Sequence, residues 1–156
     1  MEKDILNTSG LKRCDSGDTD FRALVQALDT DLQERNGEEQ AFYAQYNGLE
    51  KIKQVVLACV EGEAVACGAF KPYEAGTVEI KRMFVKKDFR RRGLAGKVLG
   101  ELEAWAAEEG YTSAVLETGK KQPEAIALYL RCGYRIIPNY GQYEGVENSV
   151  CMKKEW

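Results

Sequence analysis

The stretch Arg90-Arg91-Arg92-Gly93-Leu94-Ala95-Gly96-Lys97 decides how the rest of this chain is read. It stands between an apolar run, Thr77 to Val85, and a segment whose positions Leu94, Val98, Leu99, Leu102, Trp105 and Ala106 share one helix face. A glycine turn that enters a helix leaves backbone N–H groups pointing outward, where the helix dipole and neighbouring cations favour an anion. Phosphate or pyrophosphate is the ligand this chemistry suits. The Gly-x-x-x-x-Gly-Lys-Ser/Thr loop and the three-glycine dinucleotide fingerprint are both absent. Read alone, the turn is also compatible with a solvated basic loop or a nucleic-acid contact.

Between Lys81 and Lys97, eight basic residues stand against one acid, Asp88. That local +7 sits in a chain of net charge -3, so the remainder carries -10, which disfavours nucleic acid as the partner. The 156 residues suit one domain, 1–156, with a single core. There is no histidine, which excludes a Ser-His-Asp triad, a Cys-His dyad, a His-bearing zinc site and an imidazole shuttle. Acid-base chemistry near neutral pH must then come from carboxylates, Tyr, Lys, Cys, an amine or water. The cysteines Cys14, Cys59, Cys67, Cys132 and Cys151 are odd in number and scattered; they read as small buried apolar residues in a reducing compartment. Met1 to Leu6 lacks the apolar core of a signal peptide, and no run approaches a membrane span, so a cytoplasmic protein is expected.

Outward from the turn, the elements alternate in type. Asp18 is a predicted N-cap for a helix carrying Phe21, Leu24, Val25, Leu28 and Leu32 and ending at Gly37. Phe42, Tyr43 and Tyr46 form a short second helix closing at Gly48. Gln54 to Val60 and Ala64 to Phe70 read as a hairpin around Glu61 to Glu63, followed by a loop from Pro72 to Gly76. Gly110 stops the helix that Gly93 begins. Ser113 to Leu116 is a short strand; Pro123 opens a helix that Gly133 ends; Tyr134 to Ile137 and Val150 to Lys153 are the last strands. A strand near Leu11 to Cys14 precedes them all. The fold class is α/β or α+β with a mixed sheet.

Four blocks carry a family resemblance: Glu79 to Val85, Arg90-x-x-Gly93-x-Ala95, Leu116-Glu117-Thr118, and Ala125 to Tyr134. In this order and spacing the chain resembles the GNAT superfamily of acetyl-CoA-dependent N-acetyltransferases, continuously from about Ala64 to Tyr134. The resemblance implies a central, mostly antiparallel sheet with flanking helices. It also implies acetyl-CoA as cosubstrate, with no metal, and direct transfer of acetyl to a primary amine in a ternary complex. By resemblance, Arg90, Arg91, Arg92, Gly93, Ala95, Gly96 and Lys97 hold the pyrophosphate, and Met83, Phe84 and Val85 offer main-chain groups to the pantetheine and thioester. Gln122 occupies a position where many relatives have Asn. Tyr129 matches the tyrosine near the sulfur, where a phenol of pKa ~10 is protonated and able to donate to the leaving thiolate. Glu79 stands where histone-type members keep a catalytic glutamate, and half-burial there would raise its pKa.

The acceptor is a small molecule or a peptide amine, with no membrane partner implied and a homodimer left open. The eight acids between Asp15 and Glu39 and the loop residues Tyr140, Tyr143 and Glu144 either line an acceptor site or are ordinary surface and sheet-end groups. A non-catalytic acyl-CoA-binding regulator is the alternative reading.

Overall fold

The computed structural model describes residues 10–44 and 52–156, so Met1 to Leu6 and the predicted helix close at Tyr46 and Gly48 lie outside the described residues. The elements are β1 (Leu11–Cys14), α1 (Thr19–Asn36), α2 (Gln40–Ala44), β2 (Gln54–Val60), β3 (Glu63–Glu74), β4 (Thr77–Val85), α3 (Leu94–Glu108), β5 (Ser113–Gly119), α4 (Pro123–Arg131), β6 (Arg135–Ile137) and β7 (Ser149–Glu155). They build one seven-stranded sheet in the order β1-β2-β3-β4-β5-β7-β6. Every pair is antiparallel except β4 with β5, which α3 connects as a crossover must.

Local chemistry accounts for most boundaries. The Asp18 carboxylate accepts from the Phe21 backbone N–H at 3.0 Å and starts α1, and Pro123 occupies the first turn of α4. Gly37 and Gly133 follow the ends of α1 and α4 with positive φ. β3 runs longer than its sequence pattern indicates, continuing through Pro72 to Glu74. Pro72 stands opposite Val78 beside a register shift, a position where a missing N–H is tolerated.

Strand alternation sorts the side chains onto two faces. Val78 and Ile80 of β4, Ala114 and Leu116 of β5 and Met152 of β7 join Val98, Leu99, Leu102 and Ala106 of α3 in the main core. On the opposite face Phe21, Leu24 and Val25 of α1 cover Val55, Leu57, Cys67 and Ala69. Tyr43, Tyr143 and Cys151 form a smaller cluster. Of the cysteines, Cys67 and Cys151 are buried as expected, whereas Cys14, Cys59 and Cys132 are only half-buried.

One irregularity positions everything that follows. Cys67 pairs with Phe84 but Ala69 pairs with Lys81, so β4 carries one extra residue opposite Gly68, with Arg82 at φ +58°. The bulge turns Met83 toward α3 so closely that a Cβ on Gly68 would lie 2.4 Å from Met83 Sδ and 2.9 Å from both Val98 and Leu102. Gly68→Val is therefore expected to destabilise the protein by about 3 kcal/mol through overpacking. The thermal midpoint should fall by about 6–12 °C, as monitored by circular dichroism; an unchanged midpoint would show that α3 does not press on the strand here.

Candidate active site

β4 and β5 pair only through Thr77–Ser113, Val78–Ala114 and Glu79–Val115, and then part. Beyond that point the edge of β4 from Ile80 to Val85 and the edge of β5 from Leu116 onward face each other across a cleft. Because successive side chains alternate, the cleft receives residues from both faces of the sheet. Ile80, Met83, Leu116 and Tyr129 line it from the α3 and α4 side, and Lys81, Glu117, Asn36, Tyr43, Tyr143 and Asn148 line it from the α1 and α2 side. The opening passes through the sheet rather than lying on it.

At the start of α3 the first intrahelical bond runs from the Lys97 N–H to the Gly93 carbonyl at 3.1 Å, leaving the amides of Gly93 to Gly96 without intrahelical acceptors. Gly93 has φ +78° and Arg91 φ +66°, which aims this run of backbone outward, and beyond the adjoining chain no described heavy atom lies within 4 Å of a Cβ built at Gly93 or Gly96. Arg90 is held inward, its Nε–H donating to the Val85 carbonyl at 2.8 Å and its guanidinium lying over the Phe84 ring. Arg92 lies over Phe89, and Arg91, Arg92 and Lys97 are exposed. Open amides, a helix N-terminus and three exposed cations meet the requirements of a pyrophosphate. Gln122 stands at the residue before α4, without a capping side-chain hydrogen bond, and lines the cleft with Tyr129. Met83 reaches the cleft, Val85 packs on the α3 side, and Phe84 turns toward the α1 core.

Tyr129 is 6% exposed, and burial pushes its phenol above the ordinary value, so it stays protonated at any working pH. Its hydroxyl has no hydrogen-bond partner among the described residues and remains free to donate.

Glu79 differs from the half-buried carboxylate expected from sequence. It is 3% exposed, accepts from the Tyr140 hydroxyl at 2.7 Å, has Lys71 Nζ at 3.9 Å and is not among the residues lining the cleft. The carboxylate that does line it is Glu117, two residues past the last β4–β5 pair. Burial pushes Glu117 up to about 7, and the Ser149 hydroxyl donates to its Oε2 at 2.7 Å. Behind Ser149 the donors follow one direction: Asn148 Nδ2 donates to the Tyr43 hydroxyl at 3.2 Å, Tyr43 lies 3.1 Å from Ser149 Oγ, and Ser149 donates to Glu117. With Ser149's proton committed to Glu117, Tyr43 is the donor to Ser149. Sequence reasoning missed Glu117, although a carboxylate ending the apolar run Ala114-Val115-Leu116 is a visible signal.

A mixed sheet opened between its two parallel strands, with a helix start of open amides beside the gap, is the architecture of acyl-CoA N-acyltransferases. The acetyltransferase (GNAT) family model matches residues 21–134, and this chain belongs to that family. An IAA acetyltransferase of Azospirillum brasilense is 35% identical over 100 residues, covering 64% of this chain and 65% of the relative. An uncharacterized N-acetyltransferase of Bacillus subtilis is 32% identical over 114 residues, covering 69% and 76%. The chain spans 65% and 50% of the lengths of the first two curated relatives it matches. Among solved structures, a Klebsiella pneumoniae protein assigned to the acyl-CoA N-acyltransferases aligns with TM-score 0.77 and 33% identity, over 94% of this chain and 98% of the other. A GNAT acetyltransferase of Elizabethkingia anophelis with acetyl-CoA bound shares the fold at TM-score 0.61 and 22% identity, over 74% and 82%.

Proposed function

We propose that this protein transfers the acetyl group of acetyl-CoA to the nitrogen of a primary amine, by direct attack within a ternary complex. The observation that carries this reading is the cleft through the sheet, which joins a phenol on one face to a perturbed carboxylate on the other. The cosubstrate enters from the α3 side. Its pyrophosphate rests on the amides of Gly93 to Gly96 with Arg91, Arg92 and Lys97 around it, and its pantetheine arm runs along the open edge of β4 from Met83 to Val85.

The amine arrives from the α1 side. Glu117, as carboxylate, accepts a proton from the amine nitrogen as that nitrogen bonds to the thioester carbon. Backbone N–H groups on the open β4 edge stabilise the oxyanion. As the C–S bond breaks, Tyr129 gives its proton to the departing sulfur. Glu79, held by Tyr140 and Lys71, supports the β4 wall from behind and is the second candidate base through an intervening water.

A thiolate leaves far more readily than an alkoxide or an amide anion, so proton donation by Tyr129 assists rather than dominates. Tyr129→Phe is expected to lower turnover about tenfold with acetyl-CoA affinity unchanged; unchanged turnover would remove Tyr129 from this role. The reading as a whole is tested by thiol release from acetyl-CoA across a broad amine library. Acetyl-CoA binding without release by any amine would favour the non-catalytic regulator.

A further inference from the structure

The acceptor side of the cleft holds one charge that the reaction above does not use. Lys81 is nine-tenths buried, at 9% exposure, and lines the cleft, yet it makes no hydrogen bond or ion pair among the described residues. The charges around it are otherwise engaged. Glu79 is bound by Tyr140 with Lys71 close by, Glu117 accepts from Ser149, and the Arg82 guanidinium is paired with Asp29. The bulge is what makes this possible: Lys81 and Arg82, adjacent in sequence, both turn to the α1 side, and α1 supplies a partner for Arg82 only. Burial pulls the Lys81 ammonium below its ordinary value, and the facing carboxylates Glu79 and Glu117 offset this only in part, with Lys71 and Arg82 opposing them. A bound amine without its own anion would seal an unpaired cation into the wall, an arrangement that low-polarity surroundings penalise.

Building on the acetyl-transfer reading, we propose that the acceptor is a free amino acid, its carboxylate held by Lys81 and its amine directed to Glu117. The two groups flank the part of the cleft nearest the last β4–β5 pair, one on each parting strand. A zwitterion neutralises both walls at once. The cation also favours the neutral, nucleophilic form of the amine by opposing a second positive charge beside it. Leu28 and Leu32 of α1 and Tyr143 meet the remainder of the acceptor, which suits an apolar side chain.

The test uses matched acceptors: leucine, methionine and phenylalanine against their carboxamides and decarboxylated amines. Thiol release is measured with wild type, Lys81→Met and Lys81→Arg, and equilibrium binding of the same compounds is measured to the coenzyme A-loaded protein. The expected result is at least a tenfold preference in kcat/KM and in affinity for the free acids. Lys81→Met should remove that preference, most of it through KM, and Lys81→Arg should retain most of it. Amides or decarboxylated amines that serve or bind as well as the acids would overturn the proposal. Lysine-dependent binding of the acids without any thiol release would uphold the subsite and overturn the acetyl-transfer reading, so the two failures are distinguishable. The wild-type comparison stands even where Lys81→Met fails to fold.

Discussion

Glu117→Gln is expected to lower turnover at saturating substrates by roughly 10²–10⁴-fold, the contribution typical of a positioned general base. Gln keeps the acceptor oxygen that Ser149 engages, so acetyl-CoA affinity should stay close to wild type. The pH profile gives the sharper reading. Only the carboxylate can accept a proton, so wild-type activity should rise with pH through a midpoint near the value of about 7 to which burial pushes Glu117. The variant should lose that ascending limb; with no histidine in the chain, an imidazole cannot produce it. Stability follows the same shift. The folded-state pKa lies above the ordinary carboxyl value of 4.5, so the native protein binds this proton more tightly, and the associated stability is lost as pH rises from about 4.5 through about 7. Glu117→Gln should therefore be more stable relative to wild type at pH 8 than at pH 5. Unchanged turnover together with a retained limb would move the base elsewhere, with Glu79 the next residue to examine.

Gly93→Glu is expected to weaken acetyl-CoA binding by roughly 100-fold or more, because it sets a carboxylate at the proposed pyrophosphate site. The backbone at Gly93 has φ +78°, so any side chain there adds about 1–2 kcal/mol of strain. Space is not the obstacle, since beyond the neighbouring residues no described atom lies within 4 Å of a Cβ at this position. Gly93→Ala separates the two effects. It carries the same strain without the charge, and its affinity should fall far less than that of Gly93→Glu, while both variants lose only a few degrees of thermal midpoint. Normal affinity in Gly93→Glu, measured by isothermal calorimetry, would place the cosubstrate away from the start of α3.

The comparison of sequence with structure divides by the range of the physics involved. Asp18 capping α1, Pro123 opening α4 and Gly37 closing α1 are local events, each settled by a side chain and the backbone within a few residues, and each was legible. The turn from Arg90 to Lys97 was legible for the same reason: an N-terminal helix turn exposes its amides whatever surrounds it. The loop expected from Pro72 to Gly76 failed because pairing with β4 carries β3 past a proline that local pattern treats as a stop. Gly68 offered a sign of the bulge, since glycine within an apolar strand often marks a close approach, but which strand approaches it is a matter of register.

Glu79 and Glu117 show the same limit in chemistry. Both are glutamates in strands, and periodicity treats them alike. Their difference arises where β4 and β5 part: Glu79 lies in the last pair and is shut in by Tyr140, while Glu117 lies beyond it and meets the opening.

The sequence by itself determined the order of elements, the glycine turn that opens α3, the tyrosine in α4 and the absence of imidazole chemistry. These depend on residue identity and on contacts along a few turns of chain. Only the tertiary structure decided which carboxylate meets the cleft, that Lys81 is left without a partner among the described residues, and that the cleft passes through the sheet. Those properties depend on strand register and on partners far away in sequence: Ser149 for Glu117, Tyr140 for Glu79 and Asp29 for Arg82. A pKa or an unpaired charge belongs to an environment, and here that environment is assembled from four elements and the loop before β7, which only folding brings together.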